Sequence, residues 1–173
     1  LQYIVSIQRP SGEYSEDVNE NCMAICAMMA GFQITGSPIA ERSAHRAYLR
    51  MMAKTETVNP WIVSCIRHSQ VINVCKSSQE HFVSEIVEKL RRNHDISSFL
   101  NLYLLGQITT AETIELDKYL GTISFEKELK NGIDWCYTIT EVLFRRGGGA
   151  MGKGAERLFS HPSKTPGRHK GRG

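Results

Sequence analysis

Six times before residue 113 a helix-starting signal stands directly in front of an apolar stripe of helical period. The first amides of a helix have no intrahelical acceptor. A side-chain oxygen that takes one of them, followed by an acid three residues later or by a proline at once, therefore marks a start. Asp17 with Glu20 precedes Val18, Cys22, Ile25, Cys26 and Met29, a stripe expected to stop at Gly31. Ser37-Pro38 opens a helix expected to run to about Ala53, and Asn59-Pro60 opens one carrying Trp61, Ile62, Cys65 and Ile66. Ser77 with Glu80, Asp95, and Thr109 with Glu112 repeat the device, and Ser124 and Asp134 start the last two segments. Two stretches read differently. Residues 1–8 are β-branched enough for a short strand closed by the turn Arg9-Pro10-Ser11-Gly12, and Val71 to Cys75 could equally be strand.

The expectation is a mainly α fold, a compact bundle of about seven short helices with one short N-terminal strand and a basic glycine-rich C-terminal tail. No repeat of fixed period relates the helices, which argues against a solenoid. Domain organisation follows from charge. Residues 1–144 carry 13 Lys/Arg against 17 Asp/Glu, whereas residues 145–173 carry 8 against the single Glu156, together with eight glycines and prolines 162 and 166. The first part is read as a globular helical domain. The second cannot bury enough apolar surface to offset its ordering entropy and is read as a flexible cationic tail.

Several function classes are disfavoured. No apolar run reaches the length of a membrane span and no signal peptide is recognisable, so a soluble chain without a membrane partner is expected. Five cysteines, an odd and widely spaced set, point to a reducing, intracellular setting, cytoplasmic or nuclear. Cys65 with His68 and Cys75 with His81 could be forced into a tetrahedral metal set, but no CxxC pair exists, and buried cysteines acting as small hydrophobes explain these and the Cys22/Cys26 pair better. Gly147 to Gly154 reads GGGAMGKG, the spacing of a phosphate loop, yet Gly154 stands where the magnesium-binding hydroxyl is needed and only some twenty residues follow. No nucleophile elbow or cysteine–base signature is present. No catalytic residue, cofactor or metal is therefore assigned.

Two cationic constellations remain. Arg42, Arg46, Arg50 and Lys54 recur at intervals of four on the Ser37 helix with His45 beside them, while Ala40, Ala44, Ala47, Tyr48 and Met51 occupy the other side. Like charges at this spacing repel by a few tenths of a kcal/mol, so local stability does not favour them. Paired guanidinium donors suit phosphate, and the face is expected to lie along a nucleic-acid backbone; a solvated or internally paired face is the plain alternative. In the tail, Arg145-Arg146-Gly147-Gly148 resembles a single RGG element, and Lys153, Arg157, Lys164, Arg168, Lys170 and Arg172 continue the charge. Thr165-Pro166 has the form of a proline-directed phosphorylation site, which would subtract charge there. The expected function is non-enzymatic nucleic-acid binding, RNA more than DNA, as a structural component of a ribonucleoprotein assembly. A helical protein-interaction or adaptor module, with protein partners or self-association and a basic targeting tail, is the alternative.

Overall fold

A computed structural model describes residues 1–124 and 128–147, without the side chain of Leu129. Eight α-helices and two 3-10 turns make up its regular structure, and no strand occurs among the described residues. The helices are α1 (Gln2–Ser6), α2 (Val18–Thr35), α3 (Pro38–Lys54), α4 (Pro60–His68), α5 (Lys76–Asn93), α6 (Ile96–Leu104), α7 (Thr110–Gly121) and α8 (Ile133–Gly147), with 3-10 turns at Ser69–Val71 and Leu129–Asn131.

Five of the expected caps do what their chemistry requires. The side chains of Asp17, Ser37, Asn59, Asp95 and Thr109 each accept from the amide three residues on. At Thr109 the box is complete, since Glu112 Oε2 also accepts from the Thr109 amide at 2.7 Å. Glu20, by contrast, turns to the hydroxyl of Ser15, 2.6 Å away, and leaves the Asp17 amide to Ser15 Oγ.

Four starts or stops differ from the sequence expectation, one of them that of α8, which begins at Ile133 and holds Asp134 inside its first turn. The N-terminal segment is helix and not strand: Val5 N–H donates to Leu1 C=O at 3.0 Å, and with no other strand among the described residues to pair with, one closed turn satisfies amides that a lone strand would leave open. Gly31 does not end α2, which continues to Thr35 and closes on Gly36 in the left-handed region. Gly31 instead serves a close approach, because a β-carbon there would overlap the end of the Leu1 side chain. Helix α5 begins at Lys76 on an N-cap Cys75 that makes no side-chain cap bond, so Ser77 lies inside the first turn. Val71 to Cys75 is a 3-10 end and an extended link. The segment expected from Ser124 runs into residues 125–127, outside those described.

Helix α2 packs against both α3 and α4, while α6 packs against α5, α7 and α8; α4 reaches both groups through α6 and α8. The two centres suit their positions. Helix α6 is buried nearly all round, with Phe99, Leu100, Leu102 and Leu104 in the core and Asn101 and Ser98 enclosed among them. Helix α2 contributes Cys22, Ile25, Met28 and Met29, and α3 lays against it Ala40, Ala44, Ala47, Tyr48 and Met51, the apolar side expected from its period. Alanines at three of these positions let the helix axes approach closely.

Candidate nucleic-acid interface

The side of α3 away from the core is where the Arg42 to Lys54 ladder lies, and its surroundings come from a segment the helix period cannot reveal. Residues 8–16 run across α3. Gln8 Nε2 donates to Gly12 C=O at 2.8 Å and to Ser43 C=O at 2.9 Å, Ser43 Oγ donates to Gln8 Oε1, and the Tyr14 hydroxyl lies 2.6 Å from Ser43 Oγ. Burial raises the Tyr14 phenol above its ordinary pKa, only partly opposed by Ser43 and Arg46, so it stays protonated. Gly12 makes the crossing possible. Its φ of +101° is left-handed, and a β-carbon on it would stand 3.2 Å from the Arg46 carbonyl oxygen.

This crossing delivers Glu13 to the ladder. Lys54 Nζ lies 2.5 Å from Glu13 Oε1, and Arg50 Nε lies 3.5 Å from the same oxygen, an ion pair without a hydrogen bond. The Lys54 hydrogen bond, with smaller help from Ser11 and Arg50, holds the Glu13 carboxyl below its ordinary value despite the opposing effect of burial. One turn back, Arg46 donates to Pro10 C=O at 3.0 Å. A groove of about 340 Å³ beside this end of α3 is rimmed by Glu13, Glu16 and Glu56 as well as Arg50 and Lys54, so a phosphate entering it meets three carboxylates. Arg42 is exposed and His45 half-buried, and neither has a hydrogen bond or ion pair among the described residues.

The expected site residues therefore separate into groups. Arg42 and the exposed Arg46, with His45 between them, line the first half of α3, whereas Arg50 and Lys54 are engaged by Glu13. Arg145 and Arg146 belong to the last turns of α8. Arg145 Nε pairs with Glu141 at 3.3 Å, and Arg146 pairs with Asp117 of α7 and sits 5.5 Å above the ring of Tyr103 on α6. Lys153, Arg157, Lys164, Arg168, Lys170 and Arg172 lie outside the described residues, as do the phosphate-loop-like stretch after Gly147 and Thr165.

The candidate metal set is scattered. Cys65 is in the core, Cys75 is exposed at the head of α5, and His81 pairs with Glu85 on the same helix. Among the described residues no three His, Cys, Asp or Glu side chains converge, and no described helix is long and apolar enough to cross a membrane.

Two contributors were missed at the sequence level. Glu13 gave no local signal, since its partners are 37 and 41 residues away; only the Pro10–Gly12 turn hinted at a chain reversal. Phe144, 77% exposed on α8 beside Arg145, is an unburied aromatic at the foot of the cationic segment. Set against known proteins, the chain matches no family model, no curated protein and no solved structure.

Proposed function

We propose that this protein is a non-enzymatic nucleic-acid-binding protein, RNA preferred, working inside the cell as part of a ribonucleoprotein assembly. Phosphate contacts come chiefly from the basic segment after Gly147 and are supplemented by the Arg42–His45–Arg46 edge of α3. The carrying observation is how the charge is spent. Of the lysines and arginines described, Arg42 and Lys130 have no ion pair or hydrogen bond, Arg46, Lys89 and Arg91 donate to backbone carbonyls that leave their charge unneutralised, and the others are paired with the protein's own carboxylates. Beyond Gly147, six Lys/Arg face the single Glu156. Such an excess attracts a polyanion and releases its counterions, with little discrimination of sequence. Phe144 offers a base-stacking surface at the origin of that segment, which favours single strands.

Fluorescence anisotropy with a labelled single-stranded RNA tests this. Affinity is expected to fall steeply with salt, to drop about tenfold or more when the chain is ended at Gly147, and to drop roughly threefold in Arg42→Glu. Absence of binding at low salt, or equal binding by the shortened protein, would overturn the proposal.

A protein-docking module is the second reading. It is favoured by an apolar groove of about 300 Å³ between α1, α2 and α3, lined by Leu1, Val5, Met28 and Ile39, with Ile34 84% exposed on α2. A stable, nuclease-insensitive complex or oligomer in size-exclusion chromatography with light scattering would favour it.

A further inference from the structure

The tight packing of α2 on α4 brings together two thiols that sequence separates by 39 residues. Cys26 Sγ and Cys65 Sγ are 3.4 Å apart, in direct contact. Their surroundings are unequal. Cys65 is fully buried and its thiol donates to the Cys22 carbonyl at 3.3 Å, whereas Cys26 is only half-buried. The contact with Cys65 lowers the Cys26 thiol below its ordinary value, with help from Ser64 and Arg67 and against the effect of burial. Hydrogen bonding with Cys22 and then Cys26, together with burial, holds Cys65 well above its ordinary value. One member is thus prepared as nucleophile and the other as a protonated reserve.

We infer that Cys26 and Cys65 are a dithiol that hydrogen peroxide oxidises to a disulfide, stapling α2 to α4. The Cys26 thiolate attacks a peroxide oxygen: the S–O bond forms, the O–O bond breaks, and the departing hydroxide takes a proton and leaves as water. Cys26 is then a sulfenic acid, oxidised by two electrons, and the peroxide is reduced. The Cys65 sulfur attacks that sulfenic sulfur; the S–S bond forms, the S–O bond breaks, and the Cys65 proton leaves with the hydroxide as a second water. The remaining movement is small, because sulfurs already touching close to about 2 Å.

The test uses the full chain carrying Cys75→Ser, which removes the exposed thiol, treated with a stoichiometric amount of hydrogen peroxide. Peptide mass spectrometry is expected to find the chain lighter by two hydrogens and a Cys26–Cys65 cross-link, with fragmentation between residues 22 and 26 locating the bond. The melting temperature should rise by about 5–10 °C, since the bridge closes a long loop. Cys65→Ser should stop at a Cys26 sulfenic acid captured by dimedone, and Cys26→Ser should leave Cys65 reduced. The inference is overturned if both thiols of the Cys75→Ser protein stay alkylatable, if the bond joins Cys22 instead, if Cys26 goes to sulfinic acid without a cross-link, or if Cys65 is oxidised as readily in Cys26→Ser. Mapping on the otherwise unaltered core decides the matter even where a buried serine unfolds the variant.

Discussion

The indole N–H of Trp61 on α4 donates to Asp134 Oδ1 on α8 at 2.7 Å. The same ring stacks on Tyr137, centroids 4.9 Å apart and planes 16° from parallel. Further along the two helices Arg67 reaches Glu141 at 2.7 Å. Polar and aromatic contacts thus fix α8, the helix from which the basic segment departs. Trp61→Phe keeps a stack and loses the donor, so urea unfolding should show about 1 kcal/mol lost. Trp61→Ala removes both and should cost roughly 2–3 kcal/mol.

Glu13 is the counter-charge of α3. Glu13→Gln should lower stability by about 1 kcal/mol, a modest figure because Lys54 is exposed and the Arg50 contact is an ion pair without a hydrogen bond. The same change releases two cations, and under the proposed function RNA affinity should rise severalfold. Unchanged or weaker RNA binding by the folded variant would remove the second half of α3 from any interface.

Acid sensitivity follows from the same carboxylate. Glu13 lies below its ordinary value of 4.5. Glu112 does too: burial pushes it up, but hydrogen bonding with Thr109 and the charges of Arg91 and His94 prevail. A depressed carboxyl stabilises the fold fully above its unfolded value and loses that contribution as pH falls through the folded one. Melting temperature should therefore be insensitive to these two groups between pH 7 and 5 and fall below about pH 4.5. The fall should be shallower in Glu13→Gln.

Gly31→Ala weighs two opposed effects. Alanine inside a helix gains up to about 1 kcal/mol over glycine, while its β-carbon would displace the flexible end of Leu1. Global unfolding should shift by less than about 1 kcal/mol, and hydrogen exchange at Val5 and its neighbours in α1 should accelerate.

Cys75 should be the first thiol alkylated. It is exposed, and hydrogen bonds from Ser77 and Ser78 bring its pKa down to about 7. Iodoacetamide at pH 7.5 should modify it well ahead of Cys22 and Cys65, and Ser77→Ala should slow that reaction. Peptide mapping over a time course measures both.

Much of the fold was legible because capping is local chemistry: Asp17, Ser37, Asn59, Asp95 and Thr109 each recruit an amide three residues away, inside any reading window. Period likewise identified the buried side of α3 down to Tyr48 and Met51. What period cannot tell is which chain covers the opposite side. The Arg50 and Lys54 charges looked free because Glu13 approaches from another segment, and the residue 1–8 stretch looked like strand because β-branching says nothing about whether a partner strand exists. Gly31 misled for a related reason, since a glycine that ends a helix and one that admits a neighbouring side chain are identical in sequence. The Cys26–Cys65 contact was hidden in the same way, each thiol falling on its own apolar stripe.

Gly12 turns the backbone so that the following carboxylate lands on a helix more than thirty residues downstream. A single left-handed torsion thereby meters how much positive potential that helix radiates into solvent. Any side chain placed at position 12 would press on Arg46 and, through the carboxylate beside it, alter the charge at the far end of the helix.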